Sequence, residues 1–215
     1  LTSAELYFEE HALAARHIEV QIVADASGAV LALGERDCTL QRRHQKLMEI
    51  APAPALDSAL RDRLHADAIR LAQAAEYQGV GTVEFLVYRT DPAANEFQHA
   101  FIEANPRLQV EHTVTEAIYG VDLVHAQLQL ALGADCASLP GFAHAPQPRS
   151  GFAVQLRLNA EELDADGIAH PAARGATFER CEFPGGPGLR VDTAAGPGYA
   201  PDPDFDSLFV KLIVH

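Results

Sequence analysis

The 215-residue chain is 48% hydrophobic and 21% charged, enough to bury the core of one large domain or two small ones. Its 30 acidic residues outnumber 16 basic ones for a net charge of −14, which argues against nucleic acid as a partner and requires local cations to meet any anionic ligand. No apolar run spans a bilayer, no charged-then-apolar leader opens the chain, and Cys38, Cys136 and Cys181 suit neither a disulfide framework nor a zinc knuckle, so a cytoplasmic protein with reduced thiols and no membrane contact is expected. A start at Leu1 and an end within the apolar run KLIVH suggest a piece of a longer protein.

In chain order, HIEVQIV at 17–23 alternates Ile18, Val20 and Ile22 against Glu19 and Gln21, and Val30 to Leu33 follows the turn DASG, which predicts a β-hairpin. Leu60, Leu64, Ala68, Leu71 and Ala75 recur at helical spacing behind Asp57 or Ser58 as cap, and Gln78 with Gly79 ends that helix. A strand at 82–88 (TVEFLVY), the polar loop 89–96 and a partner strand at 97–104 make a second antiparallel pair. Residues 113–132 read as helix, interrupted at Gly120 and closed by Gly133. An aperiodic stretch at about 134–150 is expected to connect subdomains, and short strands are predicted at 152–158, 176–183 and 189–192. The segment 207–214 fits helix and strand alike.

Chemistry concentrates in four places. Glu84 lies within the strand TVEFLV, and Glu103 and Asn105 stand near the end of the neighbouring strand; two carboxylates and an amide oxygen are hard ligands suited to magnesium and a nucleotide's phosphates. If the run 103–111 is extended, Glu103, Asn105, Arg107, Gln109 and Glu111 share one face. The string Gln41, Arg42, Arg43, His44, Gln45, Lys46 supplies three strong cations for an anion site, or else a solvated charge run. Arg107 with Glu111 is either a salt bridge or an anion holder beside a general base. Arg157 sits in the strand FAVQLRL on the face of Gln155, either paired or functional. The ten histidines lack zinc spacing, and PGGPG at 184–188 reads as a turn.

RHIEVQ at 16–21, ERDCTLQRRHQK at 35–46, APAP at 51–54, GTVEF at 81–85 and FIEANPRLQVEHTVTE at 101–116 together resemble the biotin carboxylases, the ATP-grasp components of acetyl-CoA, propionyl-CoA, pyruvate and urea carboxylases. RLNAE at 157–161, PGGPGLRVD at 184–192 and FDSLFVKLI at 205–213 extend the resemblance in the same order to nearly the whole chain. It implies an α+β fold: an ATP-grasp region at 1–135, holding the end of the lid subdomain and an antiparallel catalytic sheet with flanking helices, a connection at 136–150, and a truncated biotin carboxylase C-terminal domain at 151–215. It implies ATP- and bicarbonate-dependent carboxylation of carrier-bound biotin through carboxyphosphate, with two Mg2+ ions, or Mn2+, as cofactors.

By the same resemblance Glu84, Glu103 and Asn105 hold metal, with both carboxylates also counted in the ATP site. His17, Gln41 and His44 line the nucleotide, and Glu9 its adenine edge. Lys46, Arg107, Gln109, the Val110 backbone and Glu111 surround bicarbonate, Glu111 as its base. Arg157 stabilises the enolate-like oxygen of biotin. The implied partners are a biotin carboxyl carrier protein or domain and a carboxyltransferase, with room for a homodimer. Glu10 and Ala12 depart from the family's Lys and aliphatic residue at the adenine edge, and the isolated chain is expected to turn over little. A non-catalytic ATP-grasp-like docking or oligomerisation module is the alternative. The carbamoyl-phosphate synthetase branch, which also phosphorylates bicarbonate, is expected to lack RRHQK and QVEH.

Overall fold

The computed structural model describes residues 6–9, 11–12, 14–89, 96–142, 146–166 and 168–215. Glu10 and most of the polar loop, residues 90–95, lie outside them. The fold is α+β, built on one eight-stranded sheet in which every neighbouring pair is antiparallel.

Strand β1 (Arg16–Ala24) sits between β2 (Val30–Asp37) and β6 (Gly79–Tyr88), and β7 (Gln98–Asn105) closes that side as an edge. Being central, β1 is buried on both faces, and its period-two pattern sorts them. Ile18, Val20 and Ile22 join Val83, Phe85 and Val87 beneath helix α1 (Ser58–Ala74). Asp57 caps α1 by accepting the Leu60 N–H at 2.8 Å. The helix buries Leu60, Leu64, Ala68 and Ala72; Leu71 and Ala75, predicted for the same stripe, face solvent. A strict i+4 ridge thus lies along the sheet, and its contacts drift by one position from the predicted set. Leu64 is fully buried in this cluster, so Leu64→Ala is expected to destabilise the chain by about 2–5 kcal/mol, read as a lower urea midpoint at unchanged slope.

The other face of β1 carries Glu19 and Gln21, and the register runs Arg36, Glu19, Glu84, Glu103 across β2, β1, β6 and β7. Two short pieces, β3 (Gln41–Arg42) and β4 (Gln45–Lys46), form a hairpin over this face. Its two-residue turn holds Arg43 and His44 at positive φ.

The strand β5 (Met48–Ala51), absent from the sequence reading, joins the two parts of the sheet. It pairs with β2 at Asp37↔Ile50 and with β8 (Ala153–Asn159) over four residues. Strands on either side of the 136–150 segment therefore belong to one sheet, completed by β12 (Leu208–Val214) and β11 (Leu189–Thr193). The segment 207–214 is thus strand. A separate hairpin pairs β9 (Glu161–Leu163) with β10 (Ala169–Pro171). The strand predicted at 176–183 is not formed: Phe178 pairs its backbone with Gly198 and Tyr199, the Ala176 N–H turns back to the Ala173 carbonyl, and none of the eight residues is buried, so no face holds a ladder in place.

The predicted helix at 113–132 is two helices, α2 (His112–Tyr119) and α3 (Leu123–Ala131). Gly120 ends α2 in the left-handed conformation at φ 67°, and Asp122 caps α3. Val114 and Ile118 of α2 pack with Ala51, Ala153 and Ile213 from three strands, which fixes the helix over the junction of the two sheet halves. The connection is aperiodic but not idle. Cys136, Leu139 and Phe142 are buried against α3 and the sheet, and the Cys136 N–H donates to Asp25 Oδ2 at 2.7 Å. No described helix is long and apolar enough to cross a membrane.

Candidate active site

Nearly all the residues singled out from sequence converge. A cleft of about 370 Å3 is lined by His17, Gln41, His44, Lys46, Glu84, Glu103, Asn105, Arg107, Gln109, Val110, Glu111 and Arg157. Glu9 is exposed and does not line it.

The alternation that placed five polar residues on one face holds only to Asn105, where β7 ends. Pro106 onward leaves the sheet, and the Arg107 N–H turns back to the Asn105 carbonyl at 2.8 Å. The chain then curls under the cleft to Glu111, the N-cap of α2. Glu111 makes no side-chain cap bond because its carboxylate is engaged elsewhere: Oε1 accepts from Lys46 Nζ at 2.7 Å and Oε2 from Arg157 Nη2 at 2.9 Å. Of the two readings open for Arg107 and Glu111, a salt bridge between them is therefore not formed. Arg107 donates to the Leu108 carbonyl at 3.2 Å and has no carboxylate partner among the described residues.

The cation string is likewise divided. Of its three strong cations only Lys46 reaches the cleft; Arg42 pairs with Glu161, and Arg43 is exposed at the hairpin turn. Lys46 reaches Glu19 at 2.7 Å and Glu84 at 3.3 Å as well as Glu111. Burial lowers its pKa, but Glu19 and Glu111 more than reverse this, so the ammonium is held charged.

Glu84 is the hub of the acidic side. Its Oε1 accepts from Asn105 Nδ2 at 2.9 Å and Gln109 Nε2 at 2.7 Å, while Oε2 pairs with the His17 ring, itself held by Gln41 at 2.8 Å. Asn105 Nδ2 also donates to Glu103 Oε1 at 2.9 Å, so two carboxylates share one electropositive point. That arrangement, with hard oxygens on adjacent strands, fits a divalent cation of the magnesium type.

Beneath the cleft lie residues whose weight the sequence reading missed. Glu19 is fully buried between Arg36 and Lys46, and Glu49 is fully buried behind Arg157, whose Nε donates to it at 2.6 Å. Burial raises the Glu19 and Glu84 carboxyls, yet their cationic and hydrogen-bonding partners outweigh it and hold both near 2, below the usual 4.5. For Glu49 burial prevails over Arg157 and holds the carboxyl up at about 7.

These shifts set the pH dependence of stability. For Glu19 and Glu84 the folded pKa is depressed, so their contribution is full above about pH 4.5 and is lost as pH falls towards 2. Glu49 has the opposite sign, and its contribution declines as pH rises from 4.5 through 7. The urea midpoint should therefore fall steeply below pH 4.5 and show no such fall between pH 7 and 5. A midpoint unchanged down to pH 3 would contradict the buried carboxylate row.

A sheet whose polar face carries a carboxylate row, with a lysine and an arginine that has no carboxylate partner among the described residues at the same cleft, is suited to hold a divalent cation beside an anion. The chain belongs to the family described as carbamoyl-phosphate synthase L chain, ATP binding domain, whose profile matches residues 1–139. It is 46% identical over 209 residues to pyruvate carboxylase 1 of Caenorhabditis elegans, covering 97% of this chain and 17% of that protein. It is 42% identical over 212 residues to the biotin carboxylase of Nostoc sp., covering 99% and 44%. Among solved structures, it matches the biotin carboxylase domain dimer of Hydrogenobacter thermophilus 2-oxoglutarate carboxylase in complex with MgADP, ADP and bicarbonate. There the TM-score is 0.82 at 39% identity, over 96% of this chain and 42% of that one. The chain thus spans less than half the length of these relatives.

Proposed function

We propose that this chain is the central and C-terminal part of a biotin carboxylase, which uses ATP and bicarbonate to carboxylate carrier-bound biotin through carboxyphosphate. The observation that carries this reading is the pairing at the cleft: Glu111 is compensated on both oxygens by Lys46 and Arg157, while Arg107 faces the same space without a carboxylate partner among the described residues. A second anion can therefore approach a carboxylate without net repulsion, the situation a base needs to deprotonate bicarbonate.

Lys46, Arg107, Gln109 and the Val110 backbone would hold bicarbonate, and Glu111 would remove its proton. Arg157 would stabilise the oxygen that gains charge on the biotin ureido group. Glu84, Glu103 and Asn105 would hold magnesium, with Mn2+ as a substitute; when bound, the metal neutralises charge on the transferring phosphoryl group. His17, Gln41 and His44 would line the nucleotide, and Glu9 its adenine edge. A biotin carboxyl carrier, a carboxyltransferase and a second copy of the chain are the partners this reading implies. The free thiols Cys38, Cys136 and Cys181 accord with a cytoplasmic setting.

The test is an ATP- and bicarbonate-dependent biotin carboxylation assay on the longest gene product containing this chain, beside the 215 residues alone. Carboxylation by the former and little by the latter is expected. No bicarbonate-dependent ATP cleavage by either would favour a docking or oligomerisation module instead.

A further inference from the structure

We infer that Glu49 is a positioning residue that fixes the Arg157 guanidinium against Glu111 through a largely buried series of hydrogen bonds that the α2 backbone closes into a ring; its catalytic consequence rests on the function proposed above. From α2 the Thr113 hydroxyl donates to Gln155 Oε1. Gln155 Nε2 donates to Glu49 Oε2 at 2.9 Å, and Arg157 Nε donates to Glu49 Oε1 at 2.6 Å. Arg157 Nη2 returns to Glu111 at 2.9 Å, two residues before Thr113 in the chain.

Thr113, Gln155 and Glu49 are all fully buried, and Glu111 is 2% exposed. The ring ties together β5, β8 and the start of α2, with Glu49 directly opposite Gln155 in the β5–β8 register. Burying a carboxylate behind an arginine is a costly way to stabilise a sheet, since apolar side chains of similar volume generally do as well or better. What the carboxylate adds is direction. With Nε held by Glu49 and Nη2 by Glu111, the fork cannot turn, and Nη1, which has no partner among the described residues, keeps a fixed orientation in a side chain that lines the cleft. Without Glu49 the guanidinium has, among the described residues, only Glu111 as counter-charge and can close on it with two parallel bonds. That would turn Nη1 away and occupy the base.

Two variants probe the ring. Glu49→Gln keeps size and an acceptor for Nε but removes the charge; Thr113→Val breaks the far end without touching Arg157. In 15N-resolved spectra of this chain at pH 8, where Glu49 is ionised, the Arg157 Nε–H signal, assigned by its loss in Arg157→Lys, should exchange with water at least tenfold faster in Glu49→Gln and move in Thr113→Val. An unchanged signal in both overturns the inference. In the full-length gene product at pH 8, Glu49→Gln should lower biotin carboxylation at least tenfold more than bicarbonate-dependent ATP cleavage. Equal loss of both in step with melting temperature shows a merely structural role and also overturns it. If the unaltered product cleaves no ATP with bicarbonate, the functional reading fails, and the Arg157 signal alone decides the positioning.

Discussion

Glu111→Gln in the full-length gene product is expected to lower bicarbonate-dependent ATP cleavage and biotin carboxylation by about 100- to 10,000-fold, the range that a positioned general base contributes. The substitution is nearly isosteric; it removes charge and basicity and turns one of the two acceptor oxygens into an amide donor beside Lys46 or Arg157. It should not unfold the chain, because neither cation is orphaned: Lys46 keeps Glu19 and Glu84, and Arg157 keeps Glu49. Circular dichroism on the same preparation separates the two effects, with a melting curve close to that of the unaltered protein expected. Activity retained within tenfold would remove Glu111 from the role of base and leave it as an ion-pair partner.

The largest stability effect is expected at Arg36, which lies outside the cleft but holds its base together. This side chain is fully buried, and all five of its N–H donors are used. Nε reaches Glu19 at 2.6 Å; Nη1 reaches Gln21 at 2.7 Å and Thr115 at 2.8 Å; Nη2 reaches Thr82 at 3.2 Å and Gln109 at 3.4 Å. These partners come from β1, β6, the loop after β7, and α2. Arg36→Met would leave Glu19 with Lys46 alone and strand four buried acceptors, a loss of about 3–5 kcal/mol read from urea denaturation. Arg36→Lys should restore little, because a compact ammonium cannot span acceptors on four segments. Destabilisation below about 1 kcal/mol in Arg36→Met would mean that the buried network is not what holds the polar face.

The contrast between these two residues shows what was legible in the sequence. Glu111 stands in a long motif and at a spacing that invites a chemical reading. Arg36 and Glu19 are ordinary members of alternating strands, and period-two geometry assigns Glu19 to the polar side of β1 without telling whether that side meets water. It does not, because β1 is central and α2 with the β3–β4 hairpin covers it. The one sequence signal was the density of charges in segments that pair on both sides. Strands β1 and β6 and helix α1 were legible because their patterns run over seven residues or more, whereas β2 was read only to Leu33 of a strand that continues to Asp37. Strand β5 was not, since four residues between Lys46 and the prolines at 52 and 54 carry no period, yet it brings Glu49 to Arg157. Alternation failed after Asn105 because Pro106 takes the chain out of the ladder. The same departure carries Glu111 to the lysine and arginine that compensate it.

Phosphorylation of bicarbonate in this cleft is tested most directly by oxygen labelling. The full-length gene product is supplied with ATP, biotin and freshly dissolved 18O-bicarbonate, and the released phosphate is examined by mass spectrometry within minutes. If bicarbonate oxygen attacks the γ-phosphorus, breakdown of carboxyphosphate leaves that oxygen on phosphorus, and each phosphate formed should carry one 18O. Phosphate formed at the same rate without 18O would show that water is the acceptor and would contradict the account.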